Sequence, residues 1–190
     1  MVSQNAVLVF PDFLCVIAVI FLISTFMIHE TSQKQSLKTN AAFANYVLAI
    51  LEQSFKAIDG TMIKEIDQNE SLQEYLYTSD TFKRYYYANK VSDNFNNVVI
   101  NNKLLNSIYL YNFEDQSVLS STISTKADSF GDEPFIRQLQ KGDFPKGWTN
   151  TRMYHELEYD KPAEVFSLVK PFPLFTAEKG FIAYNTQYLP

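Results

Sequence analysis

Hydrophobic and polar residues follow three different patterns along this chain of 190 residues. The first stretch, residues 6–28 (AVLVFPDFLCVIAVIFLISTFMI), is almost uniformly apolar, and Asp12 is its only charged residue. A stretch of this kind is typical of a transmembrane helix, so residues 1–29 are predicted to be a membrane anchor that contacts lipid through residues 6–28. The basic start and the small-residue cleavage site of a secretory signal peptide are missing.

Helical periodicity follows over residues 30–60, which are predicted to form a long membrane-proximal helix that ends at Asp59-Gly60. Apolar residues recur there at alternating steps of four and three, the a/d spacing of a helix seam. Two interpretations remain open: a helix packed on its own domain, or a parallel homodimer. The predicted dimer seam consists of Leu37, Ala41, Ala44, Leu48 and Leu51.

Residues 61–78 predict one or two short helices, and Ser79-Asp80-Thr81 is a suitable N-cap for a longer helix that follows. From Leu104 the period changes to two. The segments SIYLYN and SVLSS, separated by the turn FEDQ, predict a hairpin, and a short helix is predicted in FIRQLQ. Three further strands are predicted in GWTNTRMY, AEVFSLVK and GFIAYNTQYL.

Most of the connections between these strands are too short for a parallel crossover, so the sheet should be antiparallel. The predicted fold class is therefore α+β, in which a long helix crosses the back of a sheet of roughly five strands. Residues 61–190 are predicted to form this domain.

Composition limits the function. The net charge of −5 argues against nucleic acid as a partner of this segment, because phosphate binding requires a basic surface. The only cysteine, Cys15, lies in the apolar stretch, so the remainder has no disulfide framework and no thiolate metal site.

Catalytic motifs are not found either. His29 and His155 are far apart, and five glycines leave little material for a phosphate-binding loop. The segment HELEYD, residues 155–160, fits a solvated acidic loop better than a metal cluster. We therefore expect no catalytic residue, no cofactor and no metal.

Five residues are the predicted ligand-binding set: Tyr109, Tyr111, Trp148, Arg152 and Tyr154. The last three share one face of a predicted strand, where an arginine fork matches a carboxylate or a phosphate and an indole can stack on a ligand. The competing interpretation places Trp148 in the core and pairs Arg152 with a surface acid such as Asp160. The two tyrosines of the hairpin either fill the core or line a pocket.

The order of elements, the segments SIYLYN and VLSS, the single strand with Trp and Arg, and VFSLVKPFP followed by GFIAYN carry a family resemblance. The chain resembles the extracytoplasmic Cache (PAS-like) sensor region of membrane-anchored AraC-type transcriptional regulators, and of related sensor histidine kinases, in Gram-positive bacteria. The resemblance implies a domain outside the cell that binds a small solute (a sugar, a carboxylate or a peptide). It also implies a cytoplasmic output module, which is not present in this chain.

Two features depart from that resemblance. The first basic residues, Lys34 and Lys38, follow the apolar stretch, so the positive-inside rule alone would place the main domain in the cytoplasm. The amino-acid-binding signature of such domains, an arginine closely followed by Trp-Tyr, is also missing. An alternative function is a dimerisation or protein-interaction module of a membrane protein that binds no ligand.

Overall fold

The computed structural model describes residues 5–141, 145, 147–174 and 179–187, and the side chains of residues 5–14 and 16 lie outside this description. Internal contacts divide the chain into two compact units, Met1–Lys56 and Ala57–Pro190. The last two residues of the predicted strand over residues 180–189 lie outside the described residues.

The first unit consists of helix α1 (Asn5–Gln68), which also contributes its last three turns to the second unit. The predicted end at Asp59-Gly60 is wrong, because α1 continues for two more turns. A glycine inside a helix is tolerated, and a Cβ added to Gly60 would meet no atom within 4 Å. Leu37 and Leu48 of the predicted seam are 70% and 63% exposed in the single chain.

A transmembrane helix was predicted over residues 1–29. Among the residues that the structure describes, no helix contains an apolar stretch long enough to cross a membrane. Most of the first half of the predicted anchor, residues 6–14 and 16, has no described side chains.

Within its described residues, the second unit combines the end of α1 with three further α-helices, one short 3-10 helix (Ala127–Ser129) and six strands. The helices are α2 (Glu70–Tyr77), α3 (Thr81–Asn101) and α4 (Glu133–Gln140). The strands are β1 (Leu105–Asn112), β2 (Ser117–Ser120), β3 (Ser124–Lys126), β4 (Arg152–Tyr154), β5 (Ala163–Phe172) and β6 (Gly180–Gln187).

The strands form one antiparallel sheet in the order β3-β2-β1-β6-β5-β4, which confirms the α+β class. The sheet has six strands rather than five. The additional strand, β3, has the sequence Ser-Thr-Lys and pairs only with β2, so it lies at the edge and has no apolar alternation to reveal it. The predicted N-cap of α3 is confirmed: the Asp80 carboxylate accepts hydrogen bonds from the backbone N–H groups of Phe82 and Lys83.

The predicted strand GWTNTRMY is shorter than expected. Only Arg152–Tyr154 forms a strand, and Trp148 joins the sheet through an isolated bridge to Leu168. Between them, the Thr149 N–H donates to the backbone oxygen of Ser167. Residues 148–154 therefore run alongside β5 without the continuous backbone hydrogen-bond ladder of a full strand.

The two faces of the sheet have different covers. One face packs against α1 and α3, whose apolar residues Ile58, Met62, Ile66, Ala88, Val91 and Phe95 are buried. An ion pair of 2.7 Å between Lys170 on β5 and Asp59 on α1 lies on this side. The opposite face is covered by α4 and its flanking segments, with buried Phe130, Phe135, Ile136 and Leu139. Because side chains alternate along each strand, residues 107, 109, 167 and 185 share that second face.

Candidate functional site

Arg152 lies at the centre of a group of polar side chains beneath α4. Its Nε donates to Oδ1 of Asp132 at 3.1 Å, and its Nη2 donates to Oδ2 of the same carboxylate at 2.5 Å. The guanidinium carbon lies 3.8 Å from the ring centroid of Phe135. Helix α4 and the residue preceding it therefore supply both the carboxylate and the aromatic ring that hold this arginine.

Two polar side chains from the sheet complete the contacts of the guanidinium. Nη1 donates to Oγ of Ser167 at 2.5 Å, and Nη2 donates to Oδ1 of Asn185 at 3.2 Å. The four bonds account for four of the five N–H groups of an arginine. Asn185 in turn donates from Nδ2 to Oγ of Ser107 at 2.9 Å. The fork of Arg152 thus connects β4 with β5 and β6, and Asn185 extends the connection to β1.

The carboxylate of Asp132 has a third donor from the sheet. The Tyr109 hydroxyl donates to Oδ2 of Asp132 at 2.9 Å. We refer to Ser107, Tyr109, Asp132, Arg152, Ser167 and Asn185 as the Arg152 cluster. The side chain of Asp132 is 4% exposed and that of Arg152 is 17% exposed, so the ion pair is largely removed from water.

Burial controls the titration of this cluster. Burial raises the pKa of Asp132 above its ordinary value, although the hydrogen bonds and charge of Arg152 act in the opposite direction. Burial also raises the pKa of Tyr109, and the neighbouring Asp132 charge raises it further. Tyr109 is therefore a neutral hydroxyl that donates to the carboxylate. Burying an ion pair carries a large desolvation cost, and perturbed groups of this kind cluster at functional sites.

A second carboxylate lies beside the cluster. Oε1 of Glu156 accepts from the Tyr154 hydroxyl at 3.1 Å, and Oε2 accepts from the hydroxyls of Ser120 and Thr122. Tyr154 packs parallel to Tyr109, with their ring centroids 6.4 Å apart. Burial, and then the Glu156 charge, raise the pKa of Tyr154. Tyr154 is thus part of the wall around the cluster.

A groove leads from the surface to Arg152. It has a volume of about 390 Å³ and is lined by Phe135, Gln138, Pro145, Trp148, Thr149, Asn150, Thr151 and Arg152. Trp148 and Phe135 give it aromatic walls, while amide and hydroxyl groups supply hydrogen-bonding capacity. Aromatic walls with few polar groups are typical of sites for small molecules. We call it the Trp148 groove.

The structure brings together three of the five residues predicted to bind a ligand. Arg152, Tyr109 and Tyr154 lie in or against the Arg152 cluster, as buried or half-buried groups. Trp148 lines the groove together with Arg152, and its ring centroid lies 5.3 Å from that of Phe166. Tyr111 lies elsewhere, where its hydroxyl accepts a hydrogen bond from Gln140. Whether any of the five contacts a ligand stays a prediction.

The pairing partner named in the competing interpretation is wrong. Asp160 accepts a hydrogen bond from the backbone N–H of Leu157, and Arg152 pairs with Asp132 instead. Asn150, which lies between Trp148 and Arg152 in the sequence, is exposed and lines the same groove.

Sequence reasoning missed four members of the cluster. Asp132 lies shortly before the predicted helix FIRQLQ and has no predicted binding role. The other three, Ser107, Ser167 and Asn185, are polar residues that interrupt otherwise apolar strands. A buried polar residue in such a strand must find a hydrogen-bonding partner. This signal could have identified the three residues, but not their common partner.

The chain has no match among protein family models, and no curated protein matches it. Among solved structures, it is similar to the extracellular domain of a protein assigned as the histidine kinase vpHK1S-Z8. The TM-score is 0.47 at 14% identity, covering 73% of this chain and 54% of that one. It is also similar to a domain of a sensory box/GGDEF family protein from Vibrio parahaemolyticus, with a TM-score of 0.46 at 14% identity, covering 73% and 57%. The chain therefore spans a little over half the length of these two structures.

Proposed function

We propose that residues 57–190 form a sensor domain that binds a small solute at Arg152, which the solute reaches through the Trp148 groove. One observation carries this proposal: Arg152 lines a groove open to the surface and is also bonded to residues of two other strands and of the segment that begins α4. A molecule that engages the guanidinium therefore changes contacts across the sheet.

The proposed signal is a shift between two arrangements of the sheet. A solute that binds one arrangement more tightly than the other increases the population of that arrangement. The end of α1 meets the reverse face of the sheet, where Asp59 pairs with Lys170 of β5 at 2.7 Å. Ile58, Met62 and Ile66 on these last turns of α1 are buried. A change in β5 and β6 is thus passed to the end of α1 without a separate linker.

The proposal also includes a cellular placement. The apolar stretch of residues 6–28 supports membrane attachment, and the resemblance described above supports an extracytoplasmic domain with an output module of the AraC or histidine kinase type. Alkaline phosphatase fused after residue 187 in a bacterial host tests the placement. Active phosphatase is expected, and activity only from a β-galactosidase fusion would contradict it.

Solute binding is tested by thermal unfolding of the purified 190-residue chain in the presence of sugars, carboxylates and short peptides. A solute at 100 times its Kd should stabilise the chain by about 2.7 kcal/mol. Arg152→Lys keeps the charge but removes the planar fork, so affinity for the solute should fall at least about tenfold. Lys170→Met, on the opposite face, is the matched control and should leave the affinity unchanged. A solute that binds Arg152→Lys as well as the natural chain would contradict the role of this arginine.

A second function is favoured by the packing of the predicted ligand residues. Tyr109, Tyr111 and Tyr154 are buried in the apolar core on the α4 side of the sheet. Leu37, Leu48 and Leu51 of the predicted seam are exposed in the single chain. This combination suits a dimerisation or protein-interaction module that needs no solute.

Sedimentation of seam variants distinguishes the two functions. If the seam joins two copies, Leu48→Lys with Leu51→Lys should convert a dimer into a monomer. Tyr46→Lys is the control, because Tyr46 is 64% exposed and the heptad spacing places it opposite the seam. A dimer that survives the double change excludes the seam. A dimeric chain that binds none of the tested solutes favours the second function.

A further inference from the structure

We infer that Asp132 is an internal occupant of a carboxylate-binding site, so that the solute carries a carboxylate and competes with Asp132 for Arg152. This inference rests on the proposed function and gives the chemical class of its ligand. It also adds an autoinhibitory contact, since the site is filled by the chain's own side chain.

The donors around the Asp132 carboxylate form a site that belongs to the sheet. Arg152 on β4 contributes two parallel bonds, Nε to Oδ1 at 3.1 Å and Nη2 to Oδ2 at 2.5 Å. Tyr109 on β1 contributes a third, at 2.9 Å. A two-pronged arginine with an added hydroxyl is the geometry with which proteins hold a free carboxylate. The acceptor is the only part that comes from outside the sheet.

Helix α4 does not need the Asp132 side chain. Asp132 occupies the N-cap position, yet its side chain makes no capping bond. The Glu133 N–H bonds to the backbone oxygen of Phe130, the Phe135 N–H bonds to the backbone oxygen of Asp132, and Pro134 has no N–H. The carboxylate can therefore leave the cluster without uncapping the helix.

A close backbone contact holds Asp132 in place. The N–H of the preceding Gly131 donates to the backbone oxygen of Glu156 at 2.9 Å. A Cβ on Gly131 would lie 2.5 Å from the backbone oxygen of His155, so any larger residue forces the two segments apart. The Trp148 groove supplies the route by which an external carboxylate reaches Arg152.

The first experiment removes the Asp132 carboxylate from its position beside Arg152. Asp132→Ala should bind acetate, and acetate should raise its melting temperature in a saturable way. Acetamide, the neutral analogue, and sodium chloride at the same ionic strength should not do so. The double variant Asp132→Ala with Arg152→Met should lose the response. If Asp132→Ala folds only in acetate, that dependence is the expected result; if it folds in neither, Asp132→Asn takes its place in the same titration.

The second experiment separates a displaceable occupant from a permanent ion pair. Gly131→Ala leaves Asp132 and Arg152 intact but loosens the segment that positions the carboxylate. Its half-saturating acetate concentration should lie between that of Asp132→Ala and that of the natural chain, and acetate should increase amide hydrogen exchange in α4. A difference of at least about tenfold is expected between Asp132→Ala and the natural chain.

Two results would overturn the inference. The first is an Asp132→Ala or Asp132→Asn protein that responds to acetate no more than to acetamide. The second is an acetate response in Asp132→Ala alone, with none in Gly131→Ala, because a truncation cavity beside a structural ion pair would behave in that way. Neither result depends on the natural solute, so failure of the sensor proposal in the solute screen remains a separate outcome.

Discussion

The two faces of the central sheet bury different kinds of side chain. On the face toward α1 and α3, apolar side chains such as Met62 and Phe95 meet apolar side chains of the strands. On the face toward α4, an ion pair and the hydroxyl and amide groups bonded to it share the core with aromatic rings. Apolar packing predominates on the first face, whereas the second face buries a charged pair whose polar neighbours must all find partners.

The buried ion pair beneath α4 carries a desolvation cost that apolar packing would avoid. Replacing a buried ion pair by apolar residues is often neutral or stabilising, so stability does not explain why Asp132 and Arg152 are present. The face toward α1 has a charged pair as well, Lys170 and Asp59, but these side chains are 23% and 40% exposed. Among the ion pairs of the described residues, only the pair of Arg152 and Asp132 beneath α4 lies in the interior, and this face borders the Trp148 groove.

The largest expected effect comes from breaking each of the two ion pairs in turn. Arg152→Met leaves the Asp132 carboxylate buried without its counterion and should lower the free energy of unfolding by about 3–5 kcal/mol. Lys170→Met breaks the more exposed pair and should cost no more than about 1 kcal/mol. Urea unfolding of both variants measures the difference.

A double variant sharpens this result. Arg152→Met combined with Asp132→Leu removes both charges and should recover most of the stability lost in the single variant. If the double variant is as unstable as Arg152→Met alone, the loss comes from packing of the arginine and not from an unpaired charge.

Sequence reasoning identified the local features of this sheet better than the contacts between residues distant in sequence. The hairpin of β1 and β2 and the shared face of Arg152 and Tyr154 follow from local alternation, which is visible within a few residues. The cluster does not, because its members lie between positions 107 and 185 and are joined only by the pairing of β1, β6 and β5. The continuation of α1 past Gly60 was missed because Asp59-Gly60 resembles a helix stop, whereas Ile58, Met62 and Ile66 continue one buried helical face across it.

Two tyrosines allow the faces to be compared without a change of charge. Tyr109→Phe removes the hydroxyl that donates to Asp132 and should cost about 1.5–3 kcal/mol, as expected for a hydrogen bond to a charged group. Tyr184 is equally buried on the other face, and its hydroxyl has no hydrogen-bond partner among the described residues. Tyr184→Phe should therefore be neutral or stabilise the fold by up to about 1 kcal/mol. Equal losses in the two variants, measured by urea unfolding, would show that the two faces do not differ in this way.

The last expected effect is a dependence of the Arg152→Met penalty on pH. Burial raises the pKa of Asp132, and Arg152 is the main influence that lowers it, so removing Arg152 should raise that pKa further. When the folded pKa lies above the unfolded value, the folded state binds a proton that the unfolded state releases, and stability rises as the pH falls through the folded pKa. The penalty should thus shrink between pH 7 and pH 5, by at most about 1.4 kcal/mol per pH unit.

Unfolding of the natural chain, Arg152→Met and Lys170→Met at pH 7, 6 and 5 measures this dependence, and differences between chains cancel the titration of groups that all three share. Lys170→Met is the comparison for a more exposed ion pair, since the side chains of Lys170 and Asp59 are 23% and 40% exposed. A penalty for Arg152→Met that stays constant or grows toward pH 5 would mean that Asp132 remains ionised without its arginine. In that case water would reach the Asp132 carboxylate in the variant. Water would then have as much access to the interior beneath α4 as to the ion pair of Lys170 and Asp59.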